Sequence, residues 1–217
     1  PTEDMALLGH VGRNYMKING DGNTRLCMAT SVVAHKQSFG FDAPPYTLND
    51  AELSDTIIFI GANPVIAHPV FWGRVRKNTT AKVITIDPRK SETAINSDIW
   101  LDIKPKADLV LLYTLANVLI EKNWIDVDYI ENHSEGFEEF KAYLDTQTME
   151  QLSKWCGISV TDIEKLTDIF CSTAKIPLVA YTGLEYQLSA IQNNRAIFVL
   201  WAITGKLDAP GAIYLNA

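Results

Sequence analysis

Cysteine is scarce in this 217-residue chain: Cys27, Cys156 and Cys171 are the three it has, too few and too widely spaced for a disulfide framework or a finger-type zinc site. Long apolar runs are missing as well. The longest, around residues 107–120, is interrupted by Asp108, Thr114 and Asn117 and falls short of the roughly 20 apolar residues that span a bilayer. Membrane insertion is therefore not expected. Positive charge is in deficit, with 19 Lys and Arg against 26 Asp and Glu and a net charge of −7, which argues against nucleic acid as a partner. No Gly-x-Gly-x-x-Gly follows a strand-like run, and the P-loop, Gly-x-Ser-x-Gly and His-Glu-x-x-His patterns do not occur. Conventional nicotinamide or flavin dinucleotide sites and the commonest hydrolase sites are thereby disfavoured. The chain opens at Pro1 with neither an initiator Met nor a basic-then-apolar leader, so a targeting signal is either absent or cut away, and localisation stays open.

What remains is an ordinary globular composition, 47% hydrophobic and 21% charged, in a chain long enough for one large domain or two small ones. Residues 56–60 (TIIFI) and 82–86 (KVITI) are short β-branched runs ending at Gly61 and Asp87, as buried strands do. A short helix at 69–77 fits between them. Strand, crossover helix and strand in about thirty residues make a βαβ unit with parallel strands. Further strands are expected at 99–103 and 177–181. Helical spacing is clearest at 107–122, where Val110, Leu111, Leu115, Val118 and Leu119 form one stripe, and again at 193–205. Residues 125–174 read as several short amphipathic helices. The expected fold is α/β: a doubly wound, mostly parallel sheet with helices on both faces and a helical side layer.

In such sheets ligands sit beyond the carboxyl ends of the strands, which directs attention to three turns and one cysteine. After the first strand, Gly61-Ala62-Asn63-Pro64 and His68-Pro69 offer a close backbone approach, an amide and a helix N-terminus; the plainer reading is a βα turn. After the second, Asp87-Pro88-Arg89 has an acid suited to a ribose or base edge and an arginine suited to phosphate; the alternative is a capping Asp beside a solvated Arg. After the later strand comes Gly183-Leu184-Glu185-Tyr186-Gln187. Cys27 stands at the start of a helical run from Met28, beside Arg25, where a thiolate is favoured and a soft metal can bind. A half-buried hydrophobe is the competing reading for Cys27, and the accepted one for Cys156 and Cys171, which are expected to be buried and inert.

Taken in order, these segments resemble the molybdopterin oxidoreductase family, the molybdenum or tungsten enzymes related to dimethyl sulfoxide reductase, nitrate reductase and formate dehydrogenase. Asn23-Thr24-Arg25-Leu26-Cys27 is similar to the segment that supplies the metal ligand. Gly61-Ala62-Asn63-Pro64 and His68-Pro69 are similar to a Gly-x-Asn turn with a following His-Pro pair, and Ile86-Asp87-Pro88-Arg89 to a guanosine-binding turn. Thr204-Gly205 with Pro210-Gly211, preceded by Gly183 and Gln187, resembles a late signature in which Lys206 replaces Asn. Pro105-Lys106-Ala107-Asp108 stands where the family commonly has Pro-Gly-Thr-Asp, so Asp108 is matched and Lys106 is not.

The resemblance implies Cys27 as catalytic metal ligand, and Gly61, Asn63, His68, Asp87, Arg89, Asp108, Gly183 and Gln187 as contacts to a molybdenum or tungsten bis(molybdopterin guanine dinucleotide). It implies oxygen-atom or coupled electron-proton transfer on a small-molecule substrate. Met28 after Cys27, as in several nitrate reductases, favours a nitrate reductase-like enzyme over the formate reading. Residues 1–217 are then expected to be the central α/β region of a longer catalytic subunit. An iron–sulfur cluster is expected in an N-terminal domain outside these residues and a barrel domain after them, the remaining domains and an electron-transfer subunit are the expected partners, and the isolated fragment is expected to be inactive. The rival expectation is a cofactor-free α/β interaction or scaffold domain.

Overall fold

A computed structural model of the chain describes residues 2–22, 24–42, 47–207, 209–211 and 214–216. Strands β1 (Thr56–Ile60), β2 (Lys82–Ile86), β3 (Ile99–Leu101), β4 (Leu178–Ala180) and β5 (Tyr214–Asn216) form one sheet in the order β3-β2-β1-β4-β5, each neighbouring pair parallel. β1 and β2 coincide with the runs read from the sequence. β3 and β4 are shorter than those runs. At the end of β3 the chain leaves the ladder, the Ile103 N–H donating to Leu101 O. The edge strand β5 was not expected.

The helices α1 (Thr2–His10), α2 (Thr24–Cys27), α3 (Ala29–Phe39) and α4 (Asp50–Leu53) precede β1. Between β1 and β2 lie α5 (Pro64–Ala67) and α6 (Pro69–Val75), and α7 (Glu92–Ile95) leads into β3. The long excursion from β3 to β4 holds α8 (Asp108–Glu121), α9 (Val127–His133), α10 (Phe137–Leu144), α11 (Met149–Cys156) and α12 (Val160–Ser172). After β4 come α13 (Thr182–Glu185) and α14 (Ala190–Ile203).

Both faces of the sheet are covered, which is why β1 is buried at every residue and shows no polar alternation. Ile58, Ile60, Ile84 and Ile86 face α3, α8 and α14, joined by Phe170 of α12. Ile57, Phe59 and Val179 face the other way, against Ala51 of α4 and Phe71 and Val75 of α6. α8 departs from the single stripe read from its sequence: Leu112, Thr114, Ala116 and Asn117 are buried along with Leu111, Leu115, Val118 and Leu119. Its outer side is roofed by α10, α11 and α12, and a helix apolar around most of its circumference is one enclosed on all sides.

The late Thr204-Gly205 pair ends α14. Gly205 has φ 62° and the Asp126 side chain occupies the space a Cβ would need, while the Asp126 N–H donates to Ile203 O and its carboxylate caps α9 through the Tyr129 N–H. This glycine therefore leaves room for the start of α9 to join the end of α14.

The tightest backbone contact lies at the sheet's carboxyl edge. A Cβ on Gly183 would stand 2.6 Å from both Gly61 Cα and Gly61 O, whereas one on Gly73 of α6 would meet nothing within 4 Å. Gly183→Ala is expected to cost about 1–3 kcal/mol of stability through overpacking against backbone, and Gly73→Ala to add about 0.5–1 kcal/mol through helix propensity. Urea unfolding of the two variants checks this; equal midpoints would mean that the Gly61–Gly183 contact is looser than described.

Candidate functional site

The winding of the sheet reverses between β1 and β4, and a crevice opens at such a point beyond the carboxyl ends of the strands. Gly61, at φ 57°, leaves β1 there; its N–H donates to Ile86 O at the end of β2, and its carbonyl accepts from the Gly183 N–H at 3.1 Å. Three strand ends are thus tied together by main chain. A cavity of about 220 Å³ lies over this junction, lined by Gly61, Asp87, Lys106, Asp108, Gly183 and Gln187, with Tyr186 at its wall. Such a volume lies below the roughly 300–1,000 Å³ of whole-ligand pockets, so it suits one part of a larger molecule.

Two carboxyl groups share this space. Asp108 opens α8 and is 6% exposed. Burial raises its pKa, the hydrogen bond from Gln187 Nε2 (2.9 Å) opposes the rise, and the nearby Asp87 charge adds to it. Gln187 also donates to Gly183 O at 2.9 Å, fixing it between the turn and Asp108. Burial raises Asp87 too, against the Arg89 N–H (2.8 Å) and the Arg89 charge. A pair of carboxyls, one buried and one partly exposed, is suited to accept from hydroxyl, amine or ring N–H donors.

Cys27 ends α2 and precedes Met28, the N-cap of α3. Asn23, the first residue of the matched segment, lies outside the described residues. Arg25 does not serve the thiol as expected, because its guanidinium binds Asp21 at 2.8 Å, both side chains being exposed. The Cys27 segment is instead pinned to the turn after β4. The Tyr186 hydroxyl donates to Leu26 O at 3.1 Å, and the Cys27 thiol beside it is the first cause of that phenol's raised pKa. Glu185, 4% exposed, accepts from the Thr30 hydroxyl, from the Ser31 N–H at 3.1 Å in the first turn of α3, and from Asn194 Nδ2 at 3.2 Å on α14. Cys27 is partly exposed and Cys156 buried. Cys171 corrects the expectation of a buried thiol: it is partly exposed, although burial of its surroundings still raises its pKa to about 11.

Of the residues read from the sequence, Gly61, Asp87, Asp108, Gly183 and Gln187 meet at one cavity, and the Cys27 segment is tied to its wall residue Tyr186. Asn63, His68 and Arg89 do not line it. Asn63 donates to Glu92 (2.8 Å) and accepts from the Thr93 N–H and hydroxyl, so its amide holds α7 against the β1 turn. His68 stacks on Tyr181, centroids 4.6 Å apart and planes at 21°. Glu185 and Tyr186 were named only as members of their turn, and Lys106 only as a departure from the expected glycine. The signal for Glu185 was a carboxylate in an apolar turn at a strand's carboxyl end. A wider groove of about 920 Å³ between α9 and α12, lined by Trp124, Asp126, Asp168, Cys171 and Lys206, lies away from these turns. The Lys206 ammonium turns inward there, to Phe170 O and the Phe170 ring.

Residues 2–215 match the family model described as molybdopterin oxidoreductase. The chain is 33% identical over 216 residues to a nitrate reductase of Synechocystis, covering 97% of this chain and 30% of that protein. It is 33% identical over 213 residues to the F420-dependent formate dehydrogenase subunit alpha of Methanocaldococcus jannaschii, covering 97% of this chain and 32% of that one. Among solved structures, the acetylene hydratase from Pelobacter acetylenicus superposes with a TM-score of 0.74 at 24% identity, over 89% of this chain and 26% of that one; at this identity the likeness concerns the fold. The chain therefore spans about a third of the length of the curated relatives it matches. Among the described residues no helix is long and apolar enough to cross a membrane.

The raised pKa of Asp108 fixes the sign of a pH effect. A carboxyl whose folded pKa exceeds its unfolded one, about 3.9, contributes stability that is complete below that value and lost as pH rises through the folded one. Asp108→Asn keeps the bond from Gln187 without the charge, so its stability relative to the parent chain is expected to grow as pH rises from acid to neutral. Urea midpoints across that range measure it. A difference independent of pH would show that the Asp108 carboxyl is solvated.

Proposed function

From the premise that this chain belongs to the molybdopterin oxidoreductase family, we propose that it is the central cofactor-holding region of a nitrate reductase-like subunit whose cofactor carries guanine dinucleotide groups. The family uses a molybdenum or tungsten pterin cofactor. The observation that carries the finer reading is the convergence of Gly61, Asp87, Asp108, Gly183 and Gln187 on one cavity whose wall residue Tyr186 also holds the Cys27 segment.

The residues present fit such a group. Gly61 and Gly183 leave bare backbone at the junction of the strands, where a nucleotide lies closest to main chain. Asp87 and Asp108 supply acceptors for ribose hydroxyls and for the amine and ring N–H of guanine. Gln187, already donating to Asp108 and Gly183, sets the orientation of the Asp108 carboxyl. Among the described residues no three His, Cys, Asp or Glu side chains converge as a metal cage, and Cys27 is the ligand this chain would offer. A thiolate suits a soft metal.

The bound cofactor supplies the redox chemistry, here oxygen-atom or coupled electron-proton transfer, and the protein supplies orientation and electrostatics. Tyr186, through Leu26, and Glu185, through Thr30 and Ser31, fix where the Cys27 thiol stands relative to the nucleotide turns. A small oxyanion such as nitrate is the proposed substrate. The other domains of the subunit, one of them with an iron–sulfur cluster, and an electron-donating subunit are the proposed partners.

In the complete subunit, Cys27→Ala is expected to abolish nitrate-dependent oxidation of a reduced dye while pterin content, measured by fluorescence after release, stays near that of the parent enzyme. Retained turnover rules out the ligand role of Cys27. Asp87→Ala is expected to weaken nucleotide retention by about 1.5–3 kcal/mol, the worth of a hydrogen bond to a charged acceptor; unchanged guanine content in the purified variant contradicts it.

A further inference from the structure

Lys106 lines the cavity yet stands outside the roles assigned above. Residues Lys104 to Ala107 form a turn closed by the Ala107 N–H donating to Lys104 O at 3.1 Å, with Pro105 at the first corner and Lys106, at φ 68°, at the second. A turn with this pattern requires positive φ at its second corner and takes Gly or Asn there by preference. A lysine in that position keeps the chain in a region that L side chains avoid. Residues so held persist where their surroundings over-determine them, and they gather at ligand clamps.

The surroundings do over-determine it. The Lys104 N–H donates to Cys156 O at 2.8 Å and its ammonium to Lys154 O at 2.7 Å, which anchors the turn to the end of α11. On the other side Ala107 and Asp108 are buried at the start of α8. Lys104 thus spends its charge on a carbonyl, while Lys106 has no hydrogen-bond or ion-pair partner among the described residues. Asp87 and Asp108, on the same cavity, lie beyond ion-pair distance of it. The wall therefore has an anionic part and a separate cationic part.

We propose that the Lys106 ammonium binds the phosphates of a nucleoside diphosphate group whose nucleoside is held by Asp87 and Asp108. This rests on the nucleotide reading of the cavity. The carboxylates repel phosphate and attract hydroxyl and amine donors, and Lys106 does the reverse, so the two ends of the ligand are distinguished by the sign of the charge they meet.

Calorimetric titration of this chain with guanosine diphosphate and with guanosine, at low and at physiological salt, tests it. The parent chain is expected to bind the diphosphate about five- to tenfold more tightly, the range of a charge-assisted contact, with the preference shrinking as salt rises. Lys106→Gln should remove the preference and leave guanosine affinity unchanged, and Lys106→Arg should restore it. Lys106→Gly should behave as Lys106→Gln while melting no lower than the parent chain, which separates loss of charge from loss of fold. If Lys106→Gln keeps the preference, or the parent chain binds both ligands equally, the phosphate role is overturned and the nucleotide reading stands. If the parent chain binds neither, both fall.

Discussion

The main-chain contact between Gly61 and Gly183 is the constraint on which the rest of this molecule turns. It joins the ends of β1 and β4 where the sheet changes direction, and two residues without side chains allow the Gly183 N–H to reach Gly61 O at 3.1 Å. Everything proposed to meet a ligand is placed relative to it: Asp87 through the Gly61 N–H bond to β2, Gln187 through Gly183, and Asp108 through Gln187.

From that junction the one-turn helix α13 and the two residues after it reach in several directions at once. Leu184 enters the core, Glu185 grips α3 and α14, Tyr186 grips the Cys27 segment, and Gln187 grips Asp108. Burying the Glu185 carboxylate is tolerable because three donors meet it, one of them an N–H in the first turn of α3 that has no partner within the helix. Arg25, which the sequence offered as the partner of a thiolate, pairs instead with Asp21, and Arg89, offered for a phosphate, meets Asp87 through its main-chain N–H.

Legibility followed the range of the interaction. β1 and β2 could be read because β-branched runs bounded by Gly61 and Asp87 carry their own end signals, and the family motifs could be read because each is a few contiguous residues. The full burial of α8 could not, since nothing in its own spacing announces the helices that roof it. β5 is three residues long and lacks a run to detect. Asn63 acts as both donor and acceptor, but its partners Glu92 and Thr93 lie on α7. Glu185 bonds to residues about 154 positions away, and the positive φ of Lys106 is imposed by a turn in which lysine is not the expected residue.

The distance in sequence between Glu185 and the start of α3 also orders events in time. The contacts that hold Cys27 in place, and the pairing of β4 with β1, need residues near 180, so they cannot form until β4 has been synthesised. Closing such long loops is the slow part of assembling a sheet of this kind, while the side layer between β3 and β4 can form from local contacts beforehand. The cavity and the Cys27 segment beside it therefore wait for β4. A chain halted before β4 would have most of its helices but no place for a ligand, so that loading of the site follows completion of the sheet.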